Sequence, residues 1–378
     1  MKKNIRLALA LLAALLLAGC ELPHPPSDMS GEAISGEAIT PQSKDPSKAR
    51  PENNQTDPNL PPQDGMKRSL LTNEWVDEAI VETRPIAVII PNEVHAVPHC
   101  NLSEASILYE ARVEGNMTRM MAIYEDWQSI KKIGNVRSVR SYFVYWALEW
   151  DSIIVHYGGP YFVYDLLNEE TTEHVDGMYD TAAFYRSADR DAPHNAYTSG
   201  AAIIAACKKS DISLSYRGLT EPEHFLFAEP GTTNTLSQYG DAVVDGSYVD
   251  MTASYPLTRC YFQYNDRDGL YYRYQYLSGD TDGPHVDGVT GEQLSFSNLL
   301  VQRVKQEDIG NGYLAMQCHD TTRDGYFFTK GKGIHVTWKK EGDYGATKFY
   351  DDNGEEIRLN NGKTMILIIR DTDNFTYR

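Results

Sequence analysis

The residues best equipped for chemistry are three arginines, two glutamates and two histidines between positions 110 and 194. Arg119, Arg137 and Arg140 carry fixed positive charge, and their planar forks match a carboxylate or a phosphate. Arg137 and Arg140 stand three apart at a helix start, so they can share one face. His156 and Glu110 are suited to moving a proton. Gly158-Gly159, between a strand-like run and a second helix start, offers backbone N–H groups that favour an anion. Three functions fit this set. As a binding pocket, Arg137, Arg140, His156 and the Gly158-Gly159 backbone would accept an anion, with Arg119, Glu110, Glu114, Asn92, His194 and Asn195 around them. As a hydrolase, His156 or Glu110 would be the general base beside an arginine that stabilises developing negative charge. As a scaffold, Glu110 and Glu114 would neutralise the arginines in a buried ion-pair network that needs no ligand. The histidines have plain alternatives: His156 satisfied by a backbone carbonyl, and His194 hydrogen-bonded within its Pro193-His194-Asn195 loop.

Other signatures are missing. There is no GxSxG, HExxH, GxxxxGK[ST] or GxGxxG, so no cofactor is implied. Asp280-Thr281-Asp282-Gly283 lacks the remaining ligands of a calcium loop and reads as a solvated turn. Cys318-His319-Asp320 puts nucleophile, base and acid types side by side, but neighbours on a strand point to opposite faces. Cys100, Cys207, Cys260 and Cys318 are widely spaced and form no metal-ligand pair. Outside the cytoplasm they allow two disulfides or four buried thiols.

The elements that must hold these groups can be read in turn. Residues 134–160 form one unit: Phe143, Trp146, Ala147 and Trp150 repeat at helical spacing, and residues 153–156 are strand-like. Residues 85–90 make a short strand. Residues 107–113 alternate, with Ile107, Tyr109, Ala111 and Val113 on one face; Gly115-Asn116 turns the chain, and 118–124 returns. Residues 173–195 read as an irregular loop and 199–208 as a helix. Asn92 and His156 both follow strand-like runs, and in open α/β sheets the loops beyond the strands' carboxyl ends converge on ligands. From about residue 239 the pattern changes to short strands broken by Gly, Asp and Asn. The expected fold class is therefore α+β in two domains, an α/β domain over 69–212 and a mostly-β domain over 239–378, joined by a connector at 213–238. Each domain is expected to fold separately.

The N-terminus gives the address. Lys2, Lys3 and Arg6 precede an apolar run at 7–17 too short to span a membrane comfortably, and Leu17-Ala18-Gly19-Cys20 closes it. Residues 1–19 read as a signal peptide and 20–68 as a disordered tether rich in Ser, Pro, Glu, Asn and Gln. Losing 1–19 removes three positive charges and no acid, taking the net charge from −18 to −21. So acidic a chain is a poor nonspecific partner for nucleic acid, which needs clustered Lys and Arg. It is equally poor at lying on anionic lipid unaided.

Leu17-Ala18-Gly19-Cys20 resembles the lipobox of bacterial lipoproteins, which implies a lipid on Cys20 and a place on the outer face of the cytoplasmic membrane. A longer set of marks resembles the YerB-like lipoprotein family of Gram-positive bacteria, with two consecutive domains of unknown function of the DUF3048 type, over about residues 84–375. In the first domain the marks are Glu110, Glu114-Gly115, Thr118-Arg119, Gly134, Val136-Arg137-Ser138, Arg140, His156, Gly158-Gly159, Asp176-Gly177 and Pro193-His194-Asn195. In the second they are Tyr272-Arg273, His285-x-Asp287, Asn298, Trp338-Lys339 and Asn361-Gly362-Lys363-Thr364. Two departures stand out: Val97 and His99 flank Pro98 where the family carries an Arg and a Gln, and Gly115-Asn116 replaces a Gly-Gly. The resemblance implies an envelope protein held to the membrane by lipid, and it implies no settled activity. The partner expected from the residues is an anionic envelope ligand: a small molecule, a glycan or phosphate polymer, or a protein segment.

Overall fold

A computed structural model describes residues 57–221 and 223–378; Cys20, the signal peptide and most of the tether lie outside them. The tether is shorter than expected at its far end, because Met66–Arg68 already pairs with Trp75–Asp77 as a two-stranded ribbon. No helix among the described residues is long and apolar enough to cross a membrane.

One eleven-stranded mixed sheet runs through both halves of the sequence. The first half supplies Ile86–Asn92, Ile107–Arg112, Thr118–Tyr124, Ile153–His156 and His174–Asp176, and Asn298–Val304, Asp320–Thr329, Lys332–Lys340 and Thr364–Arg370 are its longest strands from the second half. The halves join where Thr364–Arg370 pairs in parallel with Ile107–Arg112, Leu367 standing opposite Glu110. The described residues accordingly fall in one compact unit. Two separately folding halves are not what this ladder builds, since parting them would strip hydrogen bonds from two strands buried along all but their last residues, Arg112 and Arg370. A second, six-stranded sheet around Tyr261–Asn265 and Leu270–Ser278 completes a mostly-β molecule; the α/β character expected of the first half is confined to a few short helices.

Strand alternation sorts the core into two layers. Ala87, Ile89, Tyr109, Met121 and Ile366 face one way, where the helix Ser141–Leu148 lays Phe143, Val144, Trp146 and Ala147 against them. Val88, Leu108, Met120, Ala122 and Leu367 face the other way, onto the helix Gly200–Lys209 and the six-stranded sheet. Because a strand's side chains have period two, Ile107, Tyr109 and Ala111 go to the first layer, while Leu108 and Glu110 go to the second. That alternation sends a carboxylate into the space between the two sheets.

Two segments differ from expectation. The loop at 173–195 contains the strand His174–Asp176 at the sheet edge, whose two core residues were too few to show a pattern. The connector at 213–238 also packs: Phe225 and Leu236 are buried, and Leu226–Phe227 pairs in parallel with Arg358–Leu359.

Candidate functional site

The eleven polar positions proposed from sequence do not form one site. Tertiary contacts divide all but Asn195 into three groups, and in the first two the carboxylates and imidazoles are hydrogen-bonded within the protein.

Glu110 is fully buried, and its partner is none of the three arginines. Its Oε2 accepts from Arg273 Nη2 at 2.7 Å, across the gap between the sheets. Oε1 accepts from Asn92 Nδ2 and from Thr118 Oγ1, each at 2.7 Å. Arg273, itself fully buried, also donates to Gln275 Oε1 at 2.6 Å and to His285 Nδ1. An arginine can only donate, which fixes the histidines beyond it. His285 accepts at Nδ1, so it donates from Nε2 to His99 Nδ1 at 2.9 Å, and His99 donates from Nε2 to the Pro91 carbonyl at 2.7 Å. Both rings are therefore neutral. Burial agrees with this, holding His99 down to about 4 and, with the Arg273 charge beside it, His285 well below the ordinary histidine value. The family departure at His99 is thus taken up in this chain by a buried relay.

The second group surrounds His156. The ring is fully buried at the end of Ile153–His156; its Nδ1 pairs with the Gly158 carbonyl at 2.9 Å and its Nε2 with His174 Nδ1 at 3.0 Å. Burial lowers it to about 4, with the Asp176 charge opposing. The Gly158 N–H does meet an anion, but the anion is the protein's own: Asp176 Oδ1 accepts it at 2.7 Å together with Met178 N–H at 2.9 Å, and Oδ2 accepts from Tyr164 at 2.8 Å. Gly158 has φ +73°, and a Cβ on Gly177 would sit 2.3 Å from the Tyr157 ring, so both glycines are required by the turn itself. Gly159 packs: a Cβ there would lie 2.6 Å from Val163 Cγ1. The following helix, Val163–Leu167, is too short to add an anion site of its own.

The third group is the arginine cluster. Arg140, at the N-cap of Ser141–Leu148, grips Glu114 with both prongs, Nε and Nη2 at 2.6 Å, and donates to the Val139 carbonyl at 2.8 Å. Arg119, at the start of Thr118–Tyr124, donates to the Ser138 carbonyl at 2.5 Å and has no carboxylate partner among the described residues. Burial, then the charges of Arg140 and Arg137, push its guanidinium down to about 9. Arg137 is anchored by its backbone, donating to Ile89 O and accepting from Tyr157 N. Its side chain makes neither hydrogen bond nor ion pair among the described residues, and its Nε is buried without a partner. His194 Nδ1 is likewise buried and unpartnered, while its Nε2 lies 3.5 Å from Glu93 Oε1. Burial, Arg137 and His95 lower the His194 ring, and Glu93 opposes them. Asn195 belongs elsewhere in the loop, accepting from Arg186 and donating to Ser187.

The chemical consequences are unequal. A general base must reach the proton it takes, and Glu110 and His156 are enclosed and already hydrogen-bonded, so neither can serve an outside substrate as placed. Around Arg119 and Arg137 positive charge exceeds the local carboxylates, and Arg137 Nε and His194 Nδ1 lack partners among the described residues, as Asn92 Oδ1 and Arg273 Nε do in the first group. No group of three or more His, Cys, Asp or Glu able to hold a metal occurs among the described residues. Cys100, Cys207, Cys260 and Cys318 are all buried free thiols, which decides between the two cysteine alternatives. Sequence reasoning had no role for Arg273, His285, Asp176 or His174. The first three sit within its family marks, but only folding shows which residue each one meets.

The chain matches two consecutive domain models of one family. Residues 71–213 match the N-terminal domain, and residues 249–366 the C-terminal domain, of a family described as a protein of unknown function (DUF3048). The chain is 28% identical over 306 residues to YerB of Bacillus subtilis (strain 168), named as a candidate lipoprotein; the match spans 80% of this chain and 86% of that protein. A crystal structure of the YerB protein from Bacillus subtilis superposes with a TM-score of 0.67 at 25% identity, covering 82% of this chain and 99% of that one.

Proposed function

Since the chain belongs to the YerB-like family of paired DUF3048 domains, which brings no activity with it, we propose a function from the site itself. The protein is a lipid-anchored, extracytoplasmic binding module that takes an anionic envelope ligand at Arg137, with Arg119 and Arg140 behind it and His194 at the margin. One observation carries this: the Arg137 guanidinium has no hydrogen-bond or ion-pair partner among the described residues, while its neighbour Arg140 holds Glu114 in a bidentate pair. A buried Nε without an acceptor costs about 1–3 kcal/mol, and a carboxylate or phosphate would recover it. The scaffold alternative accounts for Glu110, Glu114 and Arg140 and leaves Arg137 unexplained.

The test is calorimetric titration of the protein with inorganic phosphate and, separately, with N-acetyl-dialanine for its free carboxylate. Arg137→Gln should abolish binding of whichever probe saturates the wild type and leave stability within about 0.5 kcal/mol. Arg140→Gln should lower stability more, because Glu114 loses its fork. If neither probe saturates the wild type, or Arg137→Gln binds as well, the anion site is wrong. The anchor is checked apart from this. The Leu17-Ala18-Gly19-Cys20 end of the leader and the relative's name both support lipidation of Cys20 and a place on the outer face of the cytoplasmic membrane. Cys20→Ala should leave an unprocessed precursor without lipid, and a normally processed wild type without acyl modification would overturn that reading. Within this proposal the chain from Cys20 to the strand Met66–Arg68 acts as spacer, and 69–212 and 239–378 are the two family domains joined by 213–238.

A further inference from the structure

A cavity of about 260 Å³ opens on the far side of the helix end from the arginines, between the start of the folded chain and the connector. Leu70 and Leu71 form one wall, Tyr216 and neighbouring connector residues another, and Trp150, His224 and Glu149 the floor. None of these residues was proposed as a site from sequence, and none touches the groups discussed above.

The floor contains one polar group with unused capacity. Glu149 is fully engaged: Tyr109 donates to it at 2.5 Å, Thr347 donates from its N–H at 3.0 Å and its hydroxyl at 2.6 Å, and Lys340 lies 3.4 Å away. The indole N–H of Trp150 is spent on the Tyr109 hydroxyl at 3.0 Å. His224 differs. It is 3% exposed, and both of its ring nitrogens are buried without a hydrogen-bond partner among the described residues. Glu149 Oε1 lies 3.7 Å from Nε2, which is longer than a hydrogen bond, and its charge opposes the lowering of the ring by burial. The ring is held flat against Trp150, centroids 3.5 Å apart and planes within 12°. A neutral imidazole presents one donor and one acceptor, so it suits a group that can do either.

We propose that this cavity binds a small neutral molecule combining an apolar ring with one hydroxyl-like or amide-like group, the polar end meeting His224 and the ring lying among Leu70, Leu71 and Tyr216. Size permits it, since a cavity of about 150 Å³ already takes benzene. Charge selects it. An anion would enter past Glu221 at the mouth and stop beside Glu149, whereas a cation would lose its hydration and find Glu149 already compensated by Lys340. The site is separate from the arginine cluster and stands or falls independently of it.

Phenol is the probe, with toluene lacking the hydroxyl and benzoate adding a charge, each titrated calorimetrically into the full chain. Phenol is expected to saturate, and toluene and benzoate to bind at least about tenfold more weakly. His224→Phe keeps an aromatic ring on Trp150 and removes the nitrogens, so phenol should lose its advantage over toluene. Leu70→Trp fills the cavity from its wall and should abolish binding of all three, while Arg137→Gln should leave phenol binding unchanged. The proposal is overturned if phenol does not saturate, as when only water fills the cavity. It is equally overturned if toluene matches phenol on the wild type, if His224→Phe keeps the preference, or if binding survives Leu70→Trp.

Discussion

Replacing Arg273 by Met should destabilise the whole molecule, because Glu110 depends on it across the two sheets. Both side chains are fully buried and their charged atoms lie 2.7 Å apart, so the variant leaves a buried carboxylate without its cation, held by Asn92 and Thr118 at Oε1. Removing one partner of a buried pair costs about 3–5 kcal/mol. The same change leaves His285 Nδ1 and Gln275 Oε1 without their donor, each worth about 1–3 kcal/mol when unsatisfied, so the loss should sit at or above the top of that range. Urea unfolding followed by circular dichroism would measure it for Arg273→Met, Glu110→Gln and the double variant. The pair is held by mutual compensation, so the double variant should lose less than the two single losses combined, with a coupling of about 2–3 kcal/mol. A loss below about 1 kcal/mol for Arg273→Met, or strict additivity in the double variant, would refute the reasoning.

Acid should weaken the fold ahead of any carboxylate titration. His99 and His156 are held at about 4 and His285 well below 6.5, so between 6.5 and about 4 the unfolded chain binds protons that the folded chain refuses. Their contribution is complete above 6.5 and is lost as pH falls, at about 1.4 kcal/mol per pH unit for each ring. Urea midpoints that stay flat from about pH 7.5 to about pH 5 would contradict this. Expressed separately, residues 57–238 and 239–378 should each fail to unfold cooperatively, because the cut exposes Ile107–Arg112 and Thr364–Arg370 and divides Glu110 from Arg273. A cooperative calorimetric melt from either half alone would show that the shared sheet is dispensable.

Local pattern sufficed for several elements. Residues 118–124 were expected as a strand and form Thr118–Tyr124, 153–156 form Ile153–His156, and the helical face of Phe143, Trp146, Ala147 and Trp150 all joins one core layer. Periodicity reports which residues share a face, and it even separated Glu110 from Tyr109. It also failed where elements are very short, as at His174–Asp176, and where packing is irregular, as in the connector that walls the Trp150 cavity.

What the sequence determined by itself is therefore local: the apolar run closed by Leu17-Ala18-Gly19-Cys20, the acidic charge, the alternation that turns Glu110 inward, and the clustering of arginines near a helix start. Who meets whom was decided by the tertiary structure. Glu110 lies nine residues from Arg119 yet finds Arg273, 163 positions away, because the parallel pairing of Thr364–Arg370 with Ile107–Arg112 brings the second half over that face. His156 stood next to a Gly-Gly turn that invited an anion, and Asp176 arrived to fill it when its strand joined the sheet edge. The physical reason is that a buried charge must be compensated by whatever group chain folding places within about 3 Å, and spacing along the chain carries no record of that distance.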